Sequence, residues 1–263
     1  MISTPPSSCA IEDLLARFPR RRVPLPDAYA RIYAKEYQLN RKGGTTVSRL
    51  VTRVESWMHR QIAGRSLLRQ RILEIGAGTL NHLRYEPEAA TYDVVEPFSA
   101  LYENSQELDR TNAIFRDIAD IPSTNRYDRI VSVAVLEHVE DLPTLLAFNG
   151  LLLGSEGLSQ HAIPSEGAFL WGLGWRCTTA ISYRARTGLD YARLMRWEHI
   201  NNASEIECLV RHFFRDVSIV RFPIAVFHLS FYTCIEARHP LRERCLAHLQ
   251  SKGFNVGDYV RTT

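Results

Sequence analysis

The sequence predicts an α/β protein whose core is a doubly wound, mostly parallel β-sheet. An apolar strand over residues 72–75 runs directly into the glycine turn Gly76-Ala77-Gly78. Further short apolar segments follow, and several of them end in an acidic residue. Residues 127–135 are almost continuously apolar, which is typical of a central parallel strand covered on both faces. In such sheets the carboxyl ends of the strands meet at one edge, and ligands bind there.

The glycine turn is the first candidate for a ligand site. Gly76 and Gly78 have no Cβ, so the backbone can turn tightly and a ligand can lie directly against it. Glu74 stands two positions before the turn, where a carboxylate has little structural reason to end an apolar strand. The GxGxxG fingerprint of nicotinamide-dinucleotide sites is incomplete, because Asn81 occupies the third glycine position.

The later elements follow the same alternation. A second strand at residues 91–96 ends in Glu96, about 20 residues after the glycine turn, where doubly wound folds place a carboxylate that binds ribose hydroxyls. Pro97 ends this strand because it has no N–H to donate. The remaining predicted elements are a strand at 113–116, the long strand at 127–135, a helix at 141–150 capped by Asp141, a strand at 157–163, a helix at 204–214, and strands at 217–222 and 229–237.

The long strand carries the most specific motif. It runs into Val135-Leu136-Glu137-His138-Val139, and with Asp128, Ile130 and Ser132 this segment resembles the fourth-strand motif of class I S-adenosylmethionine (SAM) dependent methyltransferases that act on small molecules. The glycine turn resembles the first motif of the same family. The resemblance covers residues 65–165 well and 203–237 weakly. Two positions depart from it, since Leu80 replaces a third glycine and residues 153–157 replace a basic residue followed by Pro-Gly-Gly.

The resemblance implies SAM as cofactor and a seven-stranded Rossmann-like sheet with one antiparallel strand near the C-terminus. It also implies N-terminal helices that cap the site and an inserted lid. Asp117 would bind the adenine amine, with Asp120 as an alternative, and Ile118 would pack on the ring. The cofactor-binding residues expected on this basis are Glu74, Gly76, Gly78, Glu96, Asp117, Ile118, Val135 and Glu137.

The expected organisation is one structural domain with four segments. These are a tail and capping helices (1–64), the SAM-binding core (65–165), a substrate lid (166–202) and the end of the sheet with a C-terminal helix (203–263). The lid interleaves aromatic residues with arginines, a combination that can clamp a ring bearing an anionic group. A dimer surface or a membrane-facing patch are the alternatives for this segment, so a homodimer stays open.

Methyl transfer to oxygen or nitrogen also requires loss of a proton, and histidine is the natural base near neutral pH. His138 and His199 are equal candidates for this role, and His161 ranks third. Helices are predicted at 27–39 and 49–62. The substrate-binding candidates are Tyr37 from the first of them, Arg41 just after it, His161 from the fifth strand, and Trp175, Arg176, Tyr183 and Arg184 from the lid. The basic run Arg20–Arg22 lies among prolines, and we expect a solvated tail there.

Composition sets outer bounds on the class of protein. The 263 residues suit one large domain, and the five scattered cysteines match neither a disulfide framework nor CxxC metal spacing. We therefore expect a reduced, cytoplasmic protein without a bound metal. No signal peptide is recognisable, the longest apolar run (222–235) is too short to span a bilayer, and no nucleic-acid-binding module is evident.

The net charge of +3 hides a strong asymmetry. Residues 1–70 carry 13 Lys and Arg against 5 Asp and Glu, residues 71–170 carry 6 against 16, and residues 171–263 carry 13 against 8. The acidic middle favours a sulfonium cation over its neutral thioether product. The arginine-rich flanks favour an anionic substrate.

The predicted function is methyl transfer from SAM to an oxygen or nitrogen atom of a small anionic acceptor, such as a sugar, a sugar nucleotide or a secondary metabolite. A SAM-binding protein without catalysis and an NAD-dependent oxidoreductase are the alternatives. A macromolecular acceptor is also conceivable within the enzyme class. Glu137-His138-Val139-Glu140 replaces the Asn/Asp-Pro-Pro-aromatic motif of many amino-group methyltransferases, which disfavours methylation of nucleic-acid bases.

Overall fold

One seven-stranded sheet organises the chain in the computed structural model, which describes residues 8–32, 56–64, 70–87 and 91–260. The strands are β1 (Arg71–Ile75), β2 (Thr91–Val95), β3 (Ala113–Phe115), β4 (Tyr127–Val133), β5 (Leu153–Pro164), β6 (Phe214–Pro223) and β7 (Ser230–Pro240). Their order is β3-β2-β1-β4-β5-β7-β6. Strands β1 to β5 pair in parallel, and β7 runs antiparallel to both of its neighbours. The predicted doubly wound, mostly parallel Rossmann-like sheet with one antiparallel strand is confirmed.

Helices cover the sheet. They are α1 (Ser8–Leu15), α2 (Leu142–Leu152), α3 (Phe169–Cys177), α4 (Thr179–Thr187), α5 (Tyr191–Glu198), α6 (Ala203–Phe213), α7 (Arg242–Ser251) and the single turn α8 (Gly257–Val260). Residues 27–32 and 56–62 are also helical, and Ser99–Tyr102 forms one more helical turn. Short 3-10 turns occupy Leu83–Tyr85, Leu108–Arg110, Ile118–Asp120, Leu136–His138 and Phe227–Leu229.

Helix α6 shows how local sequence sets an element. Asn202 and Glu205 form a capping box, in which the Asn202 side chain accepts from the Glu205 amide at 2.9 Å and the Glu205 carboxylate accepts from the Asn202 amide at 3.3 Å. Ile206, Leu209, Val210 and Phe213 then repeat at spacings of one, three and four, and all four are buried. The helix therefore begins and packs as the sequence pattern predicts.

Alternate residues of each strand contribute to two different cores. Leu73 and Ile75 of β1 pack in a large cluster with residues of α2, α6 and α7. Ile72 points to the opposite face, into a second cluster that includes Met58 and Ile62. Burial on both faces explains why the central strands are almost wholly apolar.

Several predicted boundaries differ from the structure. Strand β5 begins at Leu153 and so includes the segment that departs from the family pattern. Asp141 lies at the N-cap position of α2 but makes no bond to a helix amide, and its carboxylate accepts from Thr144 Oγ1 at 2.8 Å instead. Residues 27–32 and 56–62, which are the described parts of the helices predicted at 27–39 and 49–62, are helical. Tyr33, Tyr37 and Arg41 lie outside the described residues. Within the described ranges, no helix has the length and apolar character that crossing a membrane requires.

Candidate active site

The glycine turn lies where β1 ends, and it packs against the end of β4. Gly76 has φ +66° and its amide donates to the Val95 carbonyl at 2.8 Å. A Cβ on Gly76 would lie 2.6 Å from Cγ2 of Val135, so only glycine fits this contact. Gly78 has φ +53°, and a Cβ there would meet no atom within 4 Å. The turn is therefore closed towards Val135 and open on the side of Gly78.

Glu96 fixes the turn from the end of β2. Its side chain is buried, and its two oxygens accept from the amides of Gly78 at 2.8 Å and Phe98 at 3.0 Å. Each carboxylate oxygen has a second lone pair, which leaves capacity for ligand hydroxyls. Phe98 exposes 64% of its surface beside this carboxylate. Phe98 was not predicted from the sequence, because a single aromatic residue after a proline is common in loops.

Glu74 is buried beside the neighbouring strand β2. It is 3% exposed, and Tyr92 Oη donates to its Oε2 at 2.9 Å. Burial raises the pKa of Glu74 to about 7. The acid that seemed to mark a ligand is thus held by a neighbouring strand, and its predicted contact with the cofactor stays a prediction.

Asp117 and Ile118 follow β3. The Asp117 carboxylate accepts from the Ala119 amide at 2.9 Å, while Asp120 accepts from the Asp117 amide at 3.1 Å. The two acids therefore cap one short turn from opposite ends, and Asp117 remains exposed. Ile118 is buried in the large core cluster.

Glu137 and His138 follow β4 in a short turn that residues from the lid hold in place. The Glu137 side chain is 1% exposed, and burial raises its pKa to about 7. Its Oε2 has no hydrogen-bond partner within the part of the chain that the structure describes. Its carbonyl accepts from the amides of Ile200 and Asn201. The buried side chain of Asn201 donates to the carbonyls of Leu136 and Val139, each at 2.8 Å.

The structure brings together His138 and His199, although most of the segment 166–202 lies between them in the sequence. Their rings meet edge to face with centroids 4.9 Å apart. Nδ1 of His138 lies 2.9 Å from the Glu198 carbonyl, and Nδ1 of His199 lies 3.0 Å from Glu166 Oε2. The carboxylate that orients His199 is therefore Glu166 rather than its sequence neighbour Glu198.

The two histidines differ in their electrostatic surroundings. Burial and the nearby His199 lower the pKa of His138 to about 4. Burial alone would lower the pKa of His199 too, but its hydrogen bond to Glu166 and the surrounding carboxylates raise it above its ordinary value. Trp171 also donates its indole N–H to Glu166 and stacks over His199 with ring centroids 6.3 Å apart. Sequence reasoning assigned no role to Glu166 or Trp171.

The lid segment folds as the three helices α3, α4 and α5. A cavity of about 340 Å³ opens at its start, and its walls are Glu166, Gly167, Ala168, Phe169, Gly172, Leu173, Trp175 and Arg176. Arg176 lies over the Trp175 ring at 4.5 Å, and the buried indole nitrogen of Trp175 has no partner within the described residues. Arg184 is exposed on α4. A larger groove of about 450 Å³ lies along β6, and none of the predicted site residues lines it.

Two predicted substrate residues belong to the core instead. His161 is fully buried in β5, and its two ring nitrogens lie 2.8 Å from the hydroxyls of Ser132 and Ser159. Tyr183 is 1% exposed and packs with Tyr29 and Leu194. Neither side chain has surface left for a substrate, because neighbouring elements that the local sequence does not reveal enclose both.

The basic run of the N-terminal segment is also not a solvated tail. Arg20 bonds both oxygens of Glu205 at 2.8 and 2.9 Å and reaches the Asn201 side chain at 3.1 Å. Arg22 donates to the carbonyls of His138 and Trp197. Arg21 alone in this run is exposed. The expectation of a solvated tail is wrong for Arg20 and Arg22, which tie the N-terminal segment to the turn that carries His138.

The comparisons with known proteins agree with this geometry. A family model described as a methyltransferase domain matches residues 14–213. The chain belongs to this family, whose members are class I small-molecule methyltransferases, and the family's cofactor is SAM. No curated protein matches the sequence.

Solved structures show the same fold at low sequence identity. A Thermotoga maritima SAM-dependent methyltransferase, described as a possible histamine N-methyltransferase, is 17% identical with a TM-score of 0.52, over 80% of this chain and 97% of its own. The plantazolicin methyltransferase BpumL, in complex with S-adenosylhomocysteine (SAH), is 14% identical with a TM-score of 0.54, over 87% and 95%. The match to the CurJ carbon methyltransferase is 20% identical with a TM-score of 0.43, and it covers 67% of this chain and 50% of that one.

Proposed function

We propose that this chain transfers a methyl group from SAM to an oxygen or nitrogen atom of a small anionic acceptor. One observation carries the proposal: the glycine turn, Glu96 and the Glu137–His138 turn lie at the carboxyl ends of neighbouring parallel strands, and His199 of the lid segment meets them there. This is the edge at which open α/β sheets bind ligands.

The residues at the end of β1 and β2 fit the cofactor. The space beside Gly78 is open at the position of a Cβ, so a ligand can lie directly against the backbone there. Glu96 is held by two amides, which fixes its remaining lone pairs in place to accept from ribose hydroxyls. When bound, SAM supplies a methyl group on a sulfonium that is already activated for displacement. The protein's part is to position the acceptor in line and to remove its proton.

We assign the catalytic role to the histidine pair. His138 and His199 each use Nδ1 for a bond to the protein, so Nε2 of each ring remains available. The two histidines either remove the acceptor's proton themselves or bind another species that promotes the loss of this proton. Glu166 fixes the ring of His199, as an orienting carboxylate does in other catalytic constellations.

We place the acceptor in the cavity at the start of the lid segment, residues 166–202. The exposed guanidinium of Arg176, which lines this cavity with Trp175, can donate to an anionic group. The names of two structural neighbours, one described as a possible histamine N-methyltransferase and one as the plantazolicin methyltransferase BpumL, are compatible with a small acceptor. The four described cysteines are free thiols, which suits a cytoplasmic enzyme.

Calorimetric titration with SAM, SAH and NAD tests the cofactor assignment. Wild-type protein should bind SAM and SAH but not NAD. Glu96→Gln should weaken SAH binding at least about tenfold, a loss of about 1.4 kcal/mol. Glu103→Gln, an exposed glutamate just after the same strand, is the control and should bind SAH like wild type. Binding of NAD without SAH would replace this proposal with the oxidoreductase alternative.

Detection of SAH as a product, over a panel of hydroxyl and amine acceptors with and without a phosphate or carboxylate group, then tests catalysis. Turnover that requires the anionic group, and that Arg176→Gln reduces, would support the acceptor assignment. Equal turnover of neutral and anionic acceptors would refute that part of the proposal.

A further inference from the structure

Three potential metal ligands converge beside the acceptor cavity. One donor atom from each of Glu137, His138 and His199 lies within 4.8 Å of the other two. Two imidazoles and one carboxylate are a common donor set for divalent transition metals that keep open coordination positions for substrate. We propose that Glu137, His138 and His199 bind one divalent transition-metal cation, which in turn binds the acceptor.

The carboxylate of Glu137 is the first feature that favours a bound cation. Glu137 is almost completely buried, yet its Oε2 has no hydrogen-bond partner among the described residues. An unpartnered buried polar atom destabilises the fold, and more so when it is charged. Oε1 of the same carboxylate lies 3.7 Å from His138 Nε2. A cation bound by this carboxylate and by His138 Nε2 would give Oε2 a partner as well, if both carboxylate oxygens bind it.

The orientation of the two histidine rings also favours metal binding. Metal-binding histidines usually give their other ring nitrogen to a carboxylate or a backbone carbonyl, which fixes the ring and its tautomer. His138 does so with the Glu198 carbonyl, and His199 does so with Glu166. Glu166 is itself fixed by the indole of Trp171. Both rings therefore already have the outer contacts of metal ligands.

The three donor atoms must move slightly closer together to bind one ion. Ligand atoms at about 2.1 Å from one ion lie at most about 4.2 Å apart. The present spread of up to 4.8 Å therefore has to shrink by about 0.6 Å or more, which side-chain rotation can provide. Glu166 also lines the acceptor cavity, so a cation held here would lie next to the place assigned to the acceptor. The sequence predicted no metal because its cysteine spacing shows none, and this donor set contains no cysteine.

The role of the cation rests on the proposed function, but its binding does not. A bound cation lowers the pKa of a coordinated hydroxyl and so promotes loss of its proton. It would also occupy the lone pairs that the histidines otherwise offer as bases. The two roles of the pair therefore exclude each other, and metal binding distinguishes them.

The test uses the full-length protein, freed of metal with a chelator that is then removed by gel filtration. CoCl2 is titrated in the absence of SAM and followed by visible absorption, and ZnCl2 is then added in competition. Wild-type protein should bind one equivalent of Co²⁺ that Zn²⁺ displaces. Glu166→Gln, which removes only an outer contact, should weaken binding about 10- to 100-fold. Glu137→Gln and His199→Asn should each weaken it more.

His239→Asn is the matched control. His239 also pairs with a carboxylate, with Nδ1 2.6 Å from Asp216 Oδ2, but it lies outside the site, and asparagine tolerates its φ of +52°. This variant should bind Co²⁺ like wild type. Equal loss in His239→Asn, or no loss in both His199→Asn and Glu137→Gln, would overturn the cation site.

SAH binding is measured on the same samples, which reports folding and separates the two proposals. Wild-type protein that binds SAH but no stoichiometric Co²⁺ or Zn²⁺ refutes the cation site and leaves the methyltransferase proposal intact. Protein that binds Co²⁺ through these residues but no SAH refutes the methyltransferase proposal alone. If either Glu137→Gln or His199→Asn fails to bind SAH, its loss of Co²⁺ binding is not interpreted, and the Co²⁺ affinity of the other variant decides whether the cation site exists.

Discussion

Gly76→Ala perturbs the contact that positions the glycine turn. The new methyl group would lie 2.6 and 2.8 Å from the two Cγ atoms of Val135, and the backbone has φ +66°. A left-handed conformation costs a residue with a side chain about 1–2 kcal/mol. Overpacking of a tight contact adds about 1–3 kcal/mol. We therefore expect Gly76→Ala to reduce the free energy of unfolding by about 2–5 kcal/mol.

Two glycines with similar backbones separate these contributions. Gly78 and Gly253 have φ of +53° and +85°, and a Cβ at either position meets no atom within 4 Å. Gly253→Ala should therefore cost only the conformational part, about 1–2 kcal/mol, and should leave SAH binding unchanged. Gly78→Ala should cost a similar amount of stability but should weaken SAH binding, because the methyl group enters the open space beside the turn.

The assay is urea unfolding followed by tryptophan fluorescence, with SAH titration on the same variants. The double variant Gly76→Ala/Val135→Ala should recover the steric part of the loss, so the two changes should couple by about 1–3 kcal/mol. The reasoning is refuted if Gly76→Ala costs no more than Gly253→Ala. It is also refuted if the two changes in the double variant are additive.

Three further predictions concern buried residues. Leu80→Gly should be about 1 kcal/mol more stable than Leu80→Ala in urea unfolding, the reverse of the usual order, because Leu80 has φ +65°. Burial lowers the pKa of His161 from 6.5 to about 4, so the unfolded chain binds a proton that the folded chain does not as the pH falls through this range. His161 alone should therefore contribute a drop of about 3 kcal/mol in the free energy of unfolding between pH 6.5 and 4, and His161→Gln should remove that part of the pH dependence. Arg129→Met should cost about 3–5 kcal/mol in the same assay, because it leaves Glu86 buried without the ion pair at 2.7 Å.

Each of these has a control. His228→Gln changes an exposed histidine and should leave the pH dependence of wild type in place. The double variant Glu86→Gln/Arg129→Met should recover part of the loss seen in Arg129→Met. An Arg129→Met variant as stable as wild type, or Leu80→Ala as stable as Leu80→Gly, would contradict the corresponding argument.

The sheet was predictable because its signals are local. Apolar runs, the glycines and Pro97 mark strands and turns within a few residues, and parallel topology brings the strand ends to one edge. Leu80 shows a limit of this reasoning. The family's glycine at this position predicts a left-handed backbone, and the chain keeps φ +65° with a fully buried leucine. The conformation is thus imposed by packing, which a local pattern does not show.

The parts of the site that escaped prediction depend on contacts between distant segments. Glu166 orients His199 from 33 residues away, and Arg20 reaches Glu205 from 185 residues away. His161 looked like a site residue from its position near a strand end, but Ser132 on the next strand and the covering helices enclose it. Only the folded arrangement reveals such partners, because the residue types alone are equally common on solvated surfaces.

The anchoring of the N-terminal arginines limits how the enzyme can be rebuilt. Arg20 donates to Asn201 and Glu205, and Arg22 donates to the carbonyl of His138. The N-terminal segment, the end of the segment 166–202 and the turn that carries His138 are therefore connected by hydrogen bonds. A chimaera that grafts residues 166–202 from a relative would replace Trp197 and Asn201, which Arg22 and Arg20 contact, unless the N-terminal segment is exchanged with them. Under the proposed acceptor site, new specificity is therefore best sought by changing α3 and the cavity wall at Trp175, while the N-terminal segment and Asn201 are kept.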